Sequence, residues 1–90
     1  MKLRKKLIVK GVVQGVGLRS YCVDIAKVFE IEKGYVDNFP DGTVIIILEG
    51  AISQINSFIE KVKNFSGVQK IEVLDYEQEI NSKDHYYKFD

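Results

Sequence analysis

Apolar residues along this chain follow two alternating patterns: short apolar runs, and apolar stripes with helical spacing. Short runs bounded by glycine, proline, asparagine or aspartate are typical of β-strands, whereas recurrence at three and four residues is typical of amphipathic helices. The runs predict strands over 5–11, 35–39, 43–49, 68–78 and 86–89. The stripes predict a helix that begins at Leu18 and a second helix over 53–65. The predicted buried positions of the two helices are Leu18, Cys22, Ile25 and Phe29, and Ile52, Ile55, Ile59 and Val62.

Glycine, proline and serine mark the predicted ends of these elements. Gly34 is predicted to end the first helical region, and Asn-Phe-Pro-Asp-Gly over 38–42 predicts a turn that joins strands two and three as a hairpin. Ser53 is predicted as the N-cap of the second helix, and Gly67 follows the end of that helix.

The order of these elements predicts the fold class. The unbroken apolar run in 43–49 predicts a central strand, and the irregular alternation in 68–78 predicts a bulge or an edge strand. A β-α-β-β-α-β order with a short extra strand predicts a ferredoxin-like α+β sandwich, in which two helices cover one face of an antiparallel sheet of four to five strands. We expect one domain over 1–90. The RNA-recognition version of this fold is disfavoured because 43–49 contains no aromatic residue.

Composition narrows the class of protein further. Thirteen basic and thirteen acidic side chains cancel, which argues against a dedicated DNA-binding protein. The basic residues near the start are interpreted as the solvated face of a strand next to the sheet edge. Cys22 is the sole cysteine, so no intramolecular disulfide can form, and its place on the apolar stripe predicts a core residue rather than a nucleophile. No signal peptide or membrane-spanning run is predicted, and we expect a cytoplasmic protein.

The segment Gly11-Val12-Val13-Gln14-Gly15-Val16-Gly17-Leu18-Arg19 carries the strongest chemical indication. Its glycines permit a backbone that turns several N–H groups towards one anion, and its arginine adds a planar set of donors suited to phosphate or carboxylate. A tight turn with a solvated arginine is the alternative. The Walker pattern does not fit because the loop ends in Leu-Arg-Ser, and the dinucleotide pattern needs a glycine where Ser20 stands.

Asn38 is the candidate partner of this loop, because it ends the second predicted strand beside the proline turn. An amide offers an acceptor and two donors, so it can hold a water molecule in a fixed orientation without carrying charge. The alternative is that Asn38 only caps the turn, a position that asparagine favours.

These residues resemble the acylphosphatase family. The resemblance rests on Val-Gln-Gly-Val-Gly-Leu-Arg over 13–19, on Gly-Tyr-Val-Asp-Asn over 34–38, on Asp41-Gly42, on Glu49-Gly50 after strand three and on the closing aromatic strand. It implies the hydrolysis of acyl phosphates to a carboxylate and inorganic phosphate, with no metal and no cofactor. It also implies that phosphate is the product or an inhibitor. From the balanced charge and the short apolar runs we expect no nucleic-acid or membrane partner, and we expect a monomer.

The resemblance also implies residue roles. Arg19 would grip the phosphate together with backbone amides of the loop, and Asn38 would position the attacking water. The loop residues are Gln14, Gly15, Val16, Gly17, Leu18 and Arg19. His85 fits neither motif and is predicted to be a surface residue.

Two positions depart from the family pattern. Leu18 stands where phenylalanine is usual, and Asp37 stands where a basic or neutral residue is common. Alternation along a strand predicts that Asp37 points away from the face that carries Asn38. Two other hypotheses stay open: a non-catalytic module of the same fold that binds an anion, and an RNA- or protein-binding scaffold that uses the basic first strand.

Overall fold

In the computed structural model, which describes residues 1–89, the elements follow the order β1-α1-β2-β3-α2-β4-β5. The strands are β1 (Leu3–Gly11), β2 (Lys33–Asn38), β3 (Val44–Gly50), β4 (Val68–Asp75) and β5 (Tyr87–Lys88). The helices are α1 (Leu18–Val28) and α2 (Ile52–Lys63).

The strands form one antiparallel sheet in the order β4-β1-β3-β2-β5. β3 is therefore central and β4 lies at an edge, as predicted. A register shift also lies at the start of β4: Lys10 pairs with Lys70 and Gly11 pairs with Val68, so the extra residue, Gln69, belongs to β4, within the segment for which a bulge or an edge was predicted. The βαββαβ order with two helices confirms the predicted fold class.

One face of the sheet packs against both helices. Along β3, Val44, Ile46 and Leu48 share this face and are fully buried. They belong to a single apolar cluster with buried residues of both helices. The helical members of the cluster are Leu18, Cys22, Ile25, Ala26, Ile55, Phe58 and Val62.

The segment 76–86 crosses the other face of the sheet, because it connects β4 at one edge with β5 at the opposite edge. The Tyr76 N–H donates to the Arg4 carbonyl at 3.2 Å, and Arg4 Nη1 donates to the Gln78 carbonyl at 3.1 Å. Ile45 and Ile47 of β3 point to this face and are only 7% and 2% exposed. The two faces of β3 are thus buried by different parts of the chain.

Gly34 does not end the first helix, which was the prediction. The helix ends at Val28 with Phe29 as its C-cap, and Glu30 turns the chain with a φ of 59°. Gly34 lies within β2, where a Cβ would overlap the Ile47 carbonyl oxygen of β3 and sit 2.6 Å from the ring of Phe89. Its missing side chain makes room for the end of the chain to pack across β2.

The prediction for the start of α2 is also wrong. Ala51 is the N-cap and Ser53 lies inside the helix. The Ala51 N–H is satisfied by Gln54 Oε1, which accepts its hydrogen bond at 2.8 Å. Ile52 is 52% exposed, whereas Phe58 occupies the core in its place.

Candidate active site

The loop between β1 and α1 has a backbone that depends on glycine. Gly15 and Gly17 adopt φ values of 74° and 83°, in the left-handed region. A Cβ at either position would meet nothing within 4 Å. The glycines are therefore needed for backbone conformation and not for space. At the base of the loop, the Val12 N–H donates to the Gly67 carbonyl at 2.9 Å.

The loop leads directly into the amino-terminal end of α1. Gly17 is the N-cap and supplies no side-chain cap, and the first helical hydrogen bond runs from the Tyr21 N–H to the Gly17 carbonyl at 3.0 Å. The N–H groups of 18–20 precede that bond and have no acceptor within the helix. The first turn also contains no acidic side chain. Free N–H groups and the positive end of the helix dipole together favour an anion at this point.

Gln14 ties the loop to the turn between β2 and β3. Its Nε2 donates to the Phe39 carbonyl at 2.7 Å and to the Thr43 carbonyl at 2.9 Å. Both side-chain donors are therefore directed at the turn. Gln14 contributes to the loop by holding it in place, and the residue type alone did not predict this contact.

The turn itself is fixed by Asp41 and Gly42. Asp41 Oδ1 accepts hydrogen bonds from the Thr43 N–H and hydroxyl, at 3.0 and 2.7 Å. The hydrogen bond from the Thr43 hydroxyl is the main cause that lowers the pKa of Asp41. Gly42 has a φ of 92°, which a residue with a side chain adopts with strain. The acceptors of Gln14 therefore belong to a well-determined turn.

Asn38 ends β2 beside this turn. It pairs with Val44, which pairs on its other side with Val9 near the end of β1. Asn38 is thus placed at the same end of the sheet as the loop. Its Oδ1 is buried and has no hydrogen-bond partner within residues 1–89. A buried acceptor without a partner is unfavourable by about 1–3 kcal/mol, so this atom favours an incoming donor.

Arg19 lies on the first turn of α1, and its guanidinium carbon is 4.6 Å from the ring centroid of Tyr87 on β5. Arg19 takes part in no ion pair within the described part of the chain. A cavity of about 110 Å³ lies beside it. The cavity is lined by Val13, Gly15, Gly17, Leu18, Arg19, Ser20 and Tyr87. Four of the six predicted loop residues thus meet at one cavity, whereas Gln14, Val16 and Asn38 do not line it.

Comparison with known proteins identifies the family of this chain. The family model described as Acylphosphatase matches residues 5–90. The chain belongs to the acylphosphatase family. An acylphosphatase of Clostridium perfringens is 37% identical over 73 residues, which cover 81% of each chain. The crystal structure of acylphosphatase from Bacillus subtilis has a TM-score of 0.78 at 36% identity, with coverage of 97% of this chain and 94% of that one.

Family membership makes this chain an enzyme of the acylphosphatase type, with a small acyl phosphate as its substrate. A probable carbamoyltransferase HypF of Methanocaldococcus jannaschii is 39% identical over 79 residues, but these are 10% of that protein. The same domain therefore also occurs within a much longer chain. None of the helices in residues 1–89 has the length and apolarity needed to cross a membrane.

Asp37, which departs from the family pattern, points away from the cavity. Its Oδ2 lies 2.6 Å from Nδ1 of His85, on the face of the sheet opposite the helices. The His85 ring stacks on Tyr35, with centroids 3.5 Å apart. The predicted direction of Asp37 is confirmed. The prediction of His85 as a surface residue missed both contacts, because its partners on β2 are distant in sequence.

Cys22 is fully buried in the core, as predicted. Burial raises the pKa of its thiol to about 12. The thiolate is the nucleophilic form of cysteine, so this residue is inert near neutral pH. Within residues 1–89 no three metal-ligating side chains come together.

A larger cavity, of about 260 Å³, lies between α2 and β4. It is lined by Ile59, Lys63, Val68, Gln69, Lys70, Ile71 and Val73. Neither the loop residues 14–19 nor Asn38 lines this groove. The candidate active site is therefore identified by its donors and not by its size.

Proposed function

We propose that this protein hydrolyses acyl phosphates without a metal, with Arg19 and the loop amides as the phosphate-binding groups and Asn38 as the residue that positions water. The observation that carries the proposal is the placement of three features at one end of the sheet. These are the N–H groups that begin α1, the guanidinium of Arg19, which makes no ion pair within residues 1–89, and the buried Oδ1 of Asn38, which has no hydrogen-bond partner within the same residues.

Binding of the phosphoryl group follows from charge and geometry. The N–H groups of residues 14–18 and of the first turn of α1 are the donors, and Arg19 supplies a permanent positive charge with paired N–H groups. Hydrogen bonds in which one partner is charged are shorter and stronger than neutral ones. The substrate and the transition state both carry negative charge on the phosphoryl oxygens, and a loose transition state retains it there.

The role of Asn38 is to position the attacking water. A water molecule that donates one hydrogen bond to Asn38 Oδ1 keeps a lone pair free to attack phosphorus. The new bond forms between the water oxygen and phosphorus, the bond between phosphorus and the acyl oxygen breaks, and the carboxylate leaves with that electron pair. One water proton stays on the phosphate and the other is released to solvent. A carboxylate leaves readily, so positioning and charge stabilisation suffice without a covalent enzyme intermediate.

Phosphate release from benzoyl phosphate in the presence of EDTA tests the proposal. Arg19→Ala should weaken both substrate binding and inhibition by phosphate about tenfold to hundredfold, since one charge-assisted bond contributes about 1.5–3 kcal/mol. Asn38→Ala should lower kcat by about 10²–10³ and leave phosphate inhibition unchanged. Matched controls are Arg4→Gln, at the other end of β1, and Asn56→Ala, exposed on α2. Loss of activity in EDTA that Mg²⁺ restores would contradict the metal-free mechanism.

One alternative is a module of the same fold that binds the anion without turning it over; the observation that favours it is that a similar domain forms 10% of a probable carbamoyltransferase HypF. Calorimetric titration with inorganic phosphate separates the two functions. Binding that Arg19→Ala weakens, together with no turnover by the wild type, would establish the module. Turnover that Arg19→Ala and Asn38→Ala remove would establish the hydrolase.

A further inference from the structure

Strand β5 brings an aromatic ring to Arg19, although it is only two residues long. Its pairs with β2 are Tyr35 with Lys88 and Val36 with Tyr87. Residues directly opposite each other on paired strands share a face, so Tyr87 lies on the helix-covered face with Val36. The phenol ring therefore lies between the sheet and the first turn of α1, at the rim of the phosphate cavity.

Contacts on both sides of β5 fix its position. On the carboxyl side, the Phe89 N–H donates to the Gly34 carbonyl at 2.9 Å, and the Phe89 ring packs 5.7 Å from that of Phe58. On the amino side, His85 stacks on Tyr35 and bonds to Asp37. A strand too short to be stable alone is thus held by its flanks, and Tyr87 is held with it.

The Arg19 side chain, in contrast, has few restraints of its own. Within the described residues it makes no ion pair, and its guanidinium lies over the face of Tyr87 at 4.6 Å from the centroid. A free arginine side chain samples many rotamers, and binding has to order it. A cation over an aromatic ring within about 6 Å is attracted by the ring electrons. The ring therefore favours the rotamers that keep the guanidinium beside the cavity.

We propose that Tyr87 is a positioning residue that pre-orients the guanidinium of Arg19 for the phosphoryl group. The proposal rests on the proposed role of Arg19 in phosphate binding. The face of the Tyr87 ring, and not its hydroxyl, holds the guanidinium. Replacement of Tyr87 by phenylalanine should thus be tolerated, whereas replacement by leucine should release the guanidinium.

Substitution of Tyr87 should change the binding of benzoyl phosphate and of inorganic phosphate. Tyr87→Leu should raise KM for benzoyl phosphate and the dissociation constant of inorganic phosphate by about twofold to fivefold, the range expected for one exposed cation–π contact. Tyr87→Phe should restore both constants. A purely structural role would lower the folded fraction, which reduces the apparent kcat and leaves KM and the phosphate dissociation constant unchanged. Tyr86→Leu is the matched comparison: Tyr86 is 88% exposed and its ring packs edge-on against that of Tyr87, with centroids 5.0 Å apart, so its loss should change both constants less than Tyr87→Leu does.

Nuclear magnetic resonance gives a direct readout, because Arg4 and Arg19 are the two arginines of the chain. The Nε–Hε resonance of Arg19, assigned by its loss in Arg19→Gln, should carry a ring-current shift in wild type and in Tyr87→Phe. That shift should disappear in Tyr87→Leu, while the Arg4 resonance stays in place.

The outcomes separate the proposal from the function on which it rests. An unshifted Arg19 resonance in wild type, or unchanged phosphate affinity in Tyr87→Leu, would overturn the positioning role. Equal losses in Tyr87→Phe and Tyr87→Leu would overturn it too, because they would assign the effect to the hydroxyl. A wild type that binds phosphate without turnover, and binds it more weakly as Tyr87→Leu, would retain the positioning role and refute the hydrolase.

Discussion

Gln14→Glu is the sharpest test of how the loop is held, because it keeps the shape of the side chain and removes its donors. In the wild type, Gln14 Nε2 donates to the carbonyls of Phe39 and Thr43. A carboxylate at this position would place its negative charge against the same two carbonyl oxygens. The loop should then separate from the turn.

The magnitude follows from the two hydrogen bonds. Each contributes about 0.5–1.5 kcal/mol net, so Gln14→Ala should lower the free energy of unfolding by about 1–3 kcal/mol. No further penalty arises, because both carbonyls keep a backbone donor: the Gly42 N–H donates to Phe39 and the Phe39 N–H donates to Thr43. Gln14→Glu should lose the same bonds and gain repulsion, so at neutral pH it should be less stable than Gln14→Ala.

Urea unfolding of both variants between pH 4 and pH 8 is the measurement. A protonated carboxyl group can donate one bond, so the folded state favours the neutral form of the introduced glutamate. The deficit of Gln14→Glu should therefore grow as pH rises through the carboxyl range and shrink as pH falls. Gln14→Ala should show no such trend. A glutamate variant as stable as the alanine variant at pH 8, or a deficit independent of pH, would refute this account of the loop.

Three further predictions follow from the structure. Gly34→Ala should lower the free energy of unfolding by about 1–3 kcal/mol, measured by urea unfolding, because its Cβ would overlap the Ile47 carbonyl oxygen and the ring of Phe89. Arg4→Gln should make the unfolding temperature less sensitive to acid. The hydrogen bond from Arg4 lowers the pKa of Glu49, so this pair stabilises the fold above the ordinary glutamate range and loses that contribution as pH falls, which an acid titration of Tm in both proteins will show. Cys22 should react with a disulfide reagent at pH 8 only after urea unfolding, and fast reaction of the native protein would contradict its burial.

Local patterns predicted the features that depend on neighbouring residues. The apolar run of β3 predicted its central place because a strand buried on both faces needs apolar residues at every position. The glycine-rich loop before α1 predicted the left-handed backbone at Gly15 and Gly17. Alternation along β2 predicted that Asp37 and Asn38 point to opposite faces. Each of these follows from backbone geometry over a few residues.

Features that depend on distant contacts were not predictable in this way. Gly34 looked like a helix terminator because glycine often ends helices, yet its place is set by Phe89 at the far end of the chain. His85 looked like a surface residue because nothing beside it in sequence marks Tyr35 and Asp37 as its neighbours. Tyr87 carried no site motif, and only the pairing of β5 with β2 brings it to Arg19.

The same geometry bears on which acyl phosphates this site can distinguish. The cavity beside Arg19 is lined mainly by the loop and the first turn of α1, and its volume is about 110 Å³. The apolar residues Val16, in the loop, and Phe39, in the turn that Gln14 contacts, do not line it and are 43% and 46% exposed. Exposed apolar side chains of this kind separate substrates by a methylene or two only weakly, about 1–3 kcal/mol even in an enclosed pocket. Rates across a series of acyl phosphates should therefore follow the acidity of the departing carboxylic acid more closely than the size of its side chain. A strong preference for one chain length at constant acidity would show that the acyl group is bound after all.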